Sequence, residues 1–569
     1  MNRLARTLAA LFAFYLALGA GSALAANVYA VRGGTIPGDV YQFGVGADAN
    51  LSLLSPESVE TGGYYGHSVG ITPDGRHLYV TNTQSTTLAQ FGISASGLLS
   101  PLSPATFTVP KGNYPMAISP DGGSLYTAHT SPSAQIEQLT IGADGKLAAK
   151  SPVTVPVEYV NDIVLSPDGR YLYVSNYGIP GRVYEYEVGA DGTLKALSPA
   201  FVGAGSTPVE MAVSPDGRNL YVSTESASGV LQYTIGSDGQ LAAMMPPNLT
   251  LPGEHGGEVL AVSPDGANLY AAESGKNGIV QMAIGSGGAL SLLSPATVQP
   301  GVAVETIAVS PDGRSIYAGL YDGERLRRYA IGSGGALTPT SNEFTQTHLV
   351  TGIAVSPDQG PTAALTVTAG VPGKPSSFDA SGSSDPDGTV VRYDWSFGDG
   401  ATATTSTPVT THVFAHRRNY TASVTVTDNE GASTARVFTG HQVLRNGSAA
   451  ATAKVTFKVF GQVPKITKAR LKPRRFQVGK GKGRGAKLGF RLDVKGVVTE
   501  KVERRRHGKW KQLKGNLVLH AKAGANRAAF SGRFKGAKLN PGSYRLVLTP
   551  RNEGQGGRPV RLKFSILPG

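Results

Sequence analysis

Short apolar stretches separated by turn residues recur throughout residues 27–358. The stretch before each Pro-Asp pair is apolar two and four residues before the proline, as at Ile71 and Val69, and is small in between, as at Ala308. A Leu-Tyr-Val stretch follows, as at residues 78–80, and two further stretches flank a glycine-containing turn. This pattern predicts four short strands per unit, and the first strand is expected to be buried on both faces.

The Pro-Asp pairs repeat at a nearly constant spacing of 46–49 residues. They begin at Pro73, Pro120, Pro167, Pro215, Pro264, Pro311 and Pro357. A repeat of this length with four strands has the size of one propeller blade. Residues 27–56 begin at a second strand, whereas residues 352–358 provide a first strand and nothing after it. Joining these ends predicts a closed, seven-bladed β-propeller over residues 27–358.

The second strands carry a recognisable family motif. Tyr79-Val80-Thr81-Asn82 and the near copy Tyr173-Val174-Ser175-Asn176 resemble the YVTN seven-bladed propellers, a group that includes lactonase-like propellers. In the lactonase-like members, the resemblance implies a His, a Glu and an Arg at the channel mouth that bind an anionic lactone and activate water. The nearest chemical equivalents in this chain are His67, Glu210 or Glu258, and Arg32. The Asn-Arg pair of that family is missing after the tyrosine strand, because Thr83 follows Asn82.

The loops at one end of the predicted ring differ in every blade, which favours a binding surface there. Polar residues at these positions are expected to surround the channel mouth: Asn82, Tyr114, His129, Asn161, Asp162, Asn176, Glu273 and Glu305. An alternative interpretation is that they cap strands and hold water. The carboxylates among them would repel a sugar phosphate or carboxylate.

Residues 359–460 form a second predicted domain. Phe378-Asp379-Ala380-Ser381-Gly382, residues 395–400 and residues 424–429 resemble a PKD domain, which implies an immunoglobulin-like β-sandwich used as a spacer or recognition module. Asp379, Asp385 and Asp387 lie close together and could hold Ca²⁺, which prefers oxygen ligands. The alternative is that Asp-Pro-Asp-Gly is only a turn. We expect no other cofactor or metal.

Residues 461–569 alternate basic and apolar residues, which predicts a basic, β-sandwich-like domain. This segment has 29 Lys and Arg against 4 Asp and Glu, or +25, whereas residues 27–460 have 22 against 35, or −13. The layout resembles a basic module at the C-termini of exported actinobacterial proteins. The cationic cluster comprises Arg504, Arg505, Arg506, Lys509 and Lys511. Anionic envelope polymers are its expected partners, nucleic acid is not expected, and a solvated surface is the alternative.

Residues 1–26 have the layout of a signal peptide. Arg3 and Arg6 precede an apolar run, and Ala23-Leu24-Ala25 is an A-x-A cleavage site. No later stretch is long and apolar enough for a transmembrane segment. The chain has no cysteine, which excludes disulfides and thiolate chemistry. The sequence therefore predicts an exported, all-β protein.

Two functional hypotheses follow. The leading one is a monomeric, non-enzymatic binding protein at the cell envelope, in which the propeller contacts a ligand or another surface protein. The alternative is a lactonase-like hydrolase related to 6-phosphogluconolactonases that acts at the propeller mouth. They can be distinguished structurally, since catalysis needs His67, a carboxylate and an arginine converging on one cavity.

Overall fold

The computed structural model describes residues 26–569 except 34–36, 47, 111–114, 130, 132, 226–228, 253–258, 274–277, 322–324, 346–348, 480, 482–483 and 554. Residues 1–25 of the predicted signal peptide thus lie outside the described residues. The described residues form strands and one 3-10 turn at Ala449–Ala451, which confirms the predicted all-β class. Among them, no helix has the length and apolar character of a membrane span.

Seven four-stranded antiparallel sheets form the blades, named I to VII. The chain starts with β1 (Ala26–Arg32), β2 (Pro37–Val45) and β3 (Leu51–Tyr64). Blade I has β4 (Gly66–Ile71), β5 (His77–Asn82), β6 (Thr87–Ile93) and β7 (Leu99–Thr108). Blade II has β8 (Met116–Ile118), β9 (Ser124–Ala128), β10 (Gln135–Ile141) and β11 (Leu147–Pro156). Blade III has β12 (Val160–Leu165), β13 (Tyr171–Asn176), β14 (Arg182–Val188) and β15 (Leu194–Gly203).

The remaining blades repeat this arrangement. Blade IV has β16 (Pro208–Val213), β17 (Asn219–Thr224), β18 (Gly229–Ile235) and β19 (Leu241–Thr250). Blade V has β20 (Val259–Val262), β21 (Asn268–Glu273), β22 (Gly278–Ile284) and β23 (Leu290–Val298). Blade VI has β24 (Val304–Val309), β25 (Ser315–Leu320), β26 (Arg325–Ile331) and β27 (Leu337–Thr345). Blade VII combines β28 (Val350–Val355) with β1, β2 and β3.

Blade VII closes the ring as the sequence predicts. Strand β28 pairs antiparallel with β1, with Val355 opposite Val28 and Ile353 opposite Ala30. The last strand of the repeat region is therefore the first strand of a blade that the N-terminal residues complete. This arrangement leaves no open blade edge between the two ends of the repeat region.

The tyrosines of six second strands link consecutive blades. Each buried hydroxyl donates to a glycine carbonyl in a hairpin turn of the following blade, as Tyr79 does to Gly145 at 2.6 Å. The same bond joins Tyr29 to Gly97, Tyr126 to Gly192, Tyr173 to Gly239, Tyr221 to Gly288 and Tyr270 to Gly335. A buried hydroxyl needs such an acceptor, which gives the repeated tyrosine a physical role in joining blades.

A buried glutamine in the third strand provides a second link. Gln90 accepts from the Leu147 amide of the next blade at 2.7 Å and donates to the Pro104 carbonyl of its own blade at 3.2 Å. Gln42, Gln138, Gln232 and Gln281 do the same. In blade III the position is Glu185, which accepts from the Leu241 amide at 3.1 Å. Its other oxygen, Oε2, is buried without a hydrogen-bond partner.

We expect Glu185→Gln to stabilise the protein by about 1–2 kcal/mol at pH 8. Burial raises the pKa of Glu185 to about 7, above its value in an unfolded chain. The stability that this group contributes is therefore fully present below about pH 4 and is lost as the pH rises to about 7. Glutamine removes that loss and supplies a donor for the Pro199 carbonyl. Urea unfolding at pH 5 and pH 8 measures the gain, which should be larger at pH 8.

The control is the reverse exchange, Gln232→Glu, in the equivalent position of blade IV. It should destabilise the protein, and more strongly at pH 8 than at pH 5. Equal stability of the Glu185→Gln variant and the natural protein at pH 8 would contradict this account of the position.

The described chain divides into two compact units. The first combines the propeller with Ser383–Arg392 and Thr425–Thr452, and the second holds Ala364–Gly382, Tyr393–Val424 and Ala453–Gly569. The strands of the sandwich region are β29 (Asp358–Gln359), β30 (Thr366–Thr368), β31 (Pro375–Asp379), β32 (Val390–Ser396), β33 (Thr402–Thr405), β34 (Val409–Val413), β35 (Asn419–Asp428), β36 (Arg436–Phe438), β37 (Val443–Asn446) and β38 (Thr452–Lys458). They form three sheets, in the orders β29-β37-β36, β30-β31-β34 and β33-β32-β35-β38.

The aromatic residues of the PKD-like motifs form a core. Phe378, Trp395 and Phe397 are buried, and the rings of Phe378 and Phe397 lie 5.0 Å apart. Phe414 packs against Phe378 with ring centroids 6.3 Å apart. These rings therefore serve packing.

The C-terminal segment is built from strands β39 (Ile466–Lys472), β40 (Arg475–Phe476), β41 (Ala486–Leu492), β42 (Gly496–Arg506), β43 (Lys509–Gln512), β44 (Leu517–Ala521), β45 (Gly524–Phe530), β46 (Arg533–Phe534), β47 (Ala537–Lys538), β48 (Gly542–Asn552), β49 (Gln555–Gly556) and β50 (Val560–Ile566). Three of them form the sheet β39-β41-β45, and the largest sheet follows the order β40-β50-β48-β42-β43. Leu488, Val502, Leu546 and Phe564 belong to one buried apolar cluster. The alternation of basic and apolar residues therefore places one side of these strands in a core.

Candidate functional site

A cavity of about 390 Å³ lies in the propeller channel. All seven first strands contribute to its lining, and so does a loop at residues 439–444, which we call the channel loop. The polar and charged lining side chains are His67, Ser68, Asn161, Asp162, Glu210, Glu305, Thr306, Thr351, Thr439, His441 and Gln442. We call this space the channel cavity.

β-bulges in the first strands present these side chains to the cavity. The pairing register shifts between Val160 and Asp162 in β12, and equivalent shifts occur in β4, β16 and β24. The Ser175 hydroxyl of the second strand accepts from the Asp162 amide at 2.9 Å. Thr81 and Ser223 do the same for Ser68 and Glu210. Bulges re-aim side chains, and in these three blades the Ser or Thr two residues after the second-strand tyrosine satisfies the displaced amide.

The channel cavity is acidic. Asp162, Glu210 and Glu305 line it, and no lysine or arginine is among the lining residues of the described chain. Charges inside a cleft act more strongly than charges on an open surface, because low-dielectric walls focus the field. The cavity therefore favours cations over anions.

The two histidines of the cavity differ in charge. Burial lowers the pKa of His67 to about 4, so this imidazole is neutral at pH 7. Burial also disfavours the charged form of His441, but the charge and hydrogen bond of Asp162 and the charge of Glu210 outweigh it and raise its pKa to about 9. His67 can thus accept a proton or a hydrogen bond, whereas His441 carries positive charge.

The channel loop brings His441 into the propeller. The Gly440 carbonyl accepts from the Leu165 amide at 2.9 Å, and the Thr439 carbonyl accepts from the Val213 amide at 3.0 Å. Gly440 has a φ of 115°, and a Cβ atom there would lie 3.1 Å from Val164, so this position favours glycine. His441 Nε2 lies 2.8 Å from Asp162 Oδ1.

Other predicted mouth residues lie inside the blades. Arg32 does not line the cavity, because its Nε lies 2.7 Å from Asp39 Oδ1. Asn82 donates to Thr87, and Asn176 donates to the Glu158 carbonyl. Both asparagines and His129 are buried. They lie at the ends of second strands, which have a strand on each side. The described residues that line the channel cavity belong instead to the first-strand segments and the channel loop.

Three predicted residues are not placed. Tyr114 and Glu258 lie outside the described residues, as does the side chain of Glu273. Of the lactonase-like set, the cavity therefore contains His67 and Glu210, while Arg32 is held at Asp39. The hydrolase hypothesis requires His67, a carboxylate and an arginine in one cavity, and the described residues do not form this arrangement.

A second group of acidic residues, which we call the carboxylate cluster, lies in the same compact unit. It consists of Asp358, Asp385, Asp387, Asp428 and Glu430. Ligand oxygens of Asp358, Asp428 and Glu430 lie within 4.8 Å of one another. Burial, followed by the charges of the other cluster members, raises the pKa of Asp358 to about 9, of Asp385 to about 7 and of Glu430 to about 7.

The carboxylate cluster leaves inward oxygens without partners. Asp387 accepts from the Gln359 amide, and Asp428 accepts from Gly431 and Ala432, each through one oxygen. The other oxygen of Asp387 and of Asp428 is buried and has no hydrogen-bond partner. The same is true of both oxygens of Asp358 and Asp385 and of one oxygen of Glu430. Buried anionic oxygens need compensation, so the donor set fits a hard divalent cation.

Asp379, the third residue of the predicted calcium set, has a different environment. Its Oδ1 accepts from the Ser381 amide at 2.8 Å. Hydrogen bonds from the side chain and the backbone of Ser381 lower the pKa of this exposed carboxyl. It stabilises a turn. The sequence pattern does not predict that Asp358, Asp428 and Glu430 belong to one site, because these residues lie up to 72 positions apart along the chain.

The cationic cluster forms a hairpin of β42 and β43. Arg504 pairs across the strands with Lys511, and Arg506 pairs with Lys509. Alternate residues of a strand share a face, so these four side chains project from one face, while Arg505 projects from the other. Directly opposed like charges are destabilising, and a bound polyanion would remove that cost.

Comparisons with known proteins identify two modules. The family model "Lactonase, 7-bladed beta-propeller" matches residues 101–210 and 249–362, and the model "PKD domain" matches residues 358–443. The chain thus has a lactonase-type propeller and a PKD domain. The resemblances to a lactonase-like propeller and to a PKD domain are confirmed, and the PKD match includes His441 of the channel loop.

Among solved structures, a periplasmic gluconolactonase of Pseudomonas aeruginosa is 23% identical, with a TM-score of 0.48. The match covers 58% of this chain and 99% of that one. A putative 6-phosphogluconolactonase of Bacteroides fragilis is 18% identical over 58% of this chain and 97% of that one, with a TM-score of 0.49. At such identities the likeness concerns the fold alone.

Two curated relatives match short segments. A microbial collagenase of Vibrio alginolyticus is 39% identical over 72 residues, or 12% of this chain and 9% of that protein. A collagenase of Bacillus cereus is 30% identical over 94 residues, or 16% of this chain and 10% of that protein. The chain thus spans about a tenth of the length of these relatives.

Proposed function

We propose that the chain is an exported, envelope-associated binding protein whose channel cavity binds a cationic ligand. The observation that carries this proposal is the lining of the cavity, where Asp162, Glu210 and Glu305 occur without a lysine or arginine among the described residues. A ligand with a phosphate or carboxylate would meet repulsion there, whereas a cation would be attracted.

Hydrolysis of a lactone is the second candidate. The match to the lactonase family model favours it, and His67 and Glu210 line one cavity. The neutral His67 has the protonation state that a general base needs. Against this candidate, Arg32 pairs with Asp39, so the described part of the cavity offers no guanidinium to bind the anionic group of a sugar lactone.

Ligand titration should separate the two functions. We expect spermidine, an organic cation, to bind the protein, and gluconate to show no binding under the same conditions. Glu305→Gln should weaken spermidine binding about fivefold to tenfold, because it removes about 1 kcal/mol of attraction to one carboxylate. Glu187→Gln, on the third strand of blade III, is the matched control and should bind normally. Calorimetry at low salt measures these affinities.

Activity assays complete that test. Glucono-δ-lactone and 6-phosphogluconolactone should be hydrolysed no faster than in buffer. Enzyme-like turnover that His67→Ala abolishes would establish the hydrolase and overturn the binding proposal.

We further propose that the C-terminal segment holds the protein at the envelope by charge. The four cations on one face of the β42–β43 hairpin support this role, together with the charge of +25 over residues 461–569. Anionic envelope polymers offer repeated negative groups that such a face could contact.

The carboxylate cluster is proposed as a structural calcium site. Ca²⁺ takes six to eight oxygen ligands, including carboxylates that bind through one or both oxygens. Asp358, Asp385, Asp387, Asp428 and Glu430 would hold it through the oxygens that lack partners. The bound ion would neutralise the repulsion among these carboxylates and join strand β29 to β35.

A further inference from the structure

The channel loop adds a metal-ligating side chain to the carboxylates of the propeller. His441 Nε2 lies 2.8 Å from Asp162 Oδ1. A carboxylate oxygen of Glu210 completes a set in which the three ligand atoms lie within 4.8 Å of one another. First strands of blades III and IV provide the two acids, and the channel loop provides the imidazole.

We propose that Asp162, Glu210 and His441 form a binding site for a divalent transition-metal ion, such as Zn²⁺, in the channel cavity. This proposal rests on the cation-binding function proposed above and names the class of cation. An imidazole with two carboxylates suits zinc and its neighbours. The all-oxygen carboxylate cluster, by contrast, suits calcium.

The surroundings hold the first ligand in place. Asp162 Oδ1 accepts from its neighbour, the Ile163 amide, at 2.7 Å, and Oδ2 accepts from the Met211 amide at 2.9 Å. Such outer bonds fix the orientation of a ligating carboxylate. Each carboxylate oxygen has two lone pairs, so these bonds leave Asp162 able to bind an ion.

The channel loop fixes the imidazole. Backbone bonds from Leu165 and Val213 hold Thr439 and Gly440, directly before His441. Ligands of a tetrahedral zinc lie about 3.3 Å apart, so the His441–Asp162 pair must open by about half an ångström while Glu210 approaches. The ion displaces the proton between imidazole and carboxylate, so binding is best measured at pH 8.

Three protein ligands leave a coordination position for water or a ligand group. Because all three residues line the channel cavity, that position faces the same space as His67 and Glu305. The metal would therefore be the centre at which a small ligand with an oxygen or nitrogen donor binds.

Cobalt titration of the full-length protein with calcium present tests the proposal. Co²⁺ should bind one per chain, with visible absorption of a four- or five-coordinate ion, and Zn²⁺ should displace it. His441→Ala and Glu210→Gln should each weaken Co²⁺ binding by about 100-fold. Glu210 is partly exposed, so its variant tests the site even if the His441 variant unfolds.

The matched control is His412→Ala. His412 Nε2 lies 2.8 Å from Asp399 Oδ2, the same spacing as in the proposed site, and this variant should bind Co²⁺ normally. No Co²⁺ or Zn²⁺ binding at pH 8, or unchanged binding by Glu210→Gln, would overturn the metal site. Spermidine binding that persists in that case would leave the proposed function standing. If the protein still binds Co²⁺ but hydrolyses a lactone in a reaction that depends on His67, the proposed function would be overturned and the metal site would stand.

Discussion

Calcium is expected to raise the unfolding midpoint of the full chain by about 5–10 °C when present at about 100 times its dissociation constant. The ion would bind the folded carboxylate cluster and not the unfolded chain, in which Asp358 and Asp428 are 70 residues apart. Differential scanning calorimetry with calcium and with a chelator measures the shift.

Substitutions should have opposite effects in the two conditions. Asp428→Asn should remove most of the calcium response, because it replaces a ligand. With the chelator, the same variant should unfold at an equal or higher temperature, because it removes a charge that repels Asp358. A purely structural role of Asp428 would instead lower the midpoint in both conditions and contradict the calcium site.

Asp379→Asn is the control. Because Asp379 only stabilises a turn, this substitution should leave the calcium response intact.

The pH dependence of the calcium-free protein follows from raised pKa values in the carboxylate cluster, such as about 6 for Asp387. A group with a raised folded pKa contributes stability at low pH and loses it as the pH rises. The calcium-free protein should therefore lose stability as the pH rises from about 4 to about 9, the folded pKa of Asp358, and calcium should largely remove that loss.

The second large effect concerns the cationic cluster. The full-length protein is expected to stay with purified envelope material at 0.1 M salt and to elute near 1 M, because the screening length falls from about 10 Å to about 3 Å. A variant with Gln at Arg504, Arg506, Lys509 and Lys511 should remain largely in the supernatant at 0.1 M salt. Sedimentation with the envelope fraction measures both.

A matched control removes equal charge from the propeller. Arg76, Arg170, Arg218 and Arg314 are exposed and follow Pro-Asp-Gly turns in four blades. Replacing them with Gln lowers the net charge by the same amount, yet this variant should still sediment. Equal sedimentation of both variants at 0.1 M salt would contradict a dedicated role of the hairpin and leave it as a solvated surface.

The repeat in the sequence was sufficient to predict the propeller. The apolar positions around each Pro-Asp pair recur in phase, and the incomplete repeats at the two ends predicted the pairing of β28 with β1. The links between blades were not predicted, because the roles of Tyr79 and Gln90 depend on atoms about 60 residues away.

The candidate site was predicted only in part. His67, Asn161, Asp162, Glu210 and Glu305 line the channel cavity, since they lie on first strands. Asn82, His129 and Asn176 each lie three positions after a strand tyrosine, and this spacing does not show which strand faces the channel. His441 has no periodic signal, because it belongs to a module without repeats.

The channel loop makes the chemistry of the propeller channel depend on a module that is synthesised after the propeller. A ribosome completes all seven blades by residue 355, yet His441 is made 86 residues later. A nascent or shuffled propeller that lacks this loop would therefore keep its blades but expose the Leu165 and Val213 amides to water and lack an imidazole beside Asp162. Gene rearrangements that exchange the module after the propeller would change the chemistry of the channel, so the two modules are expected to be inherited as a pair.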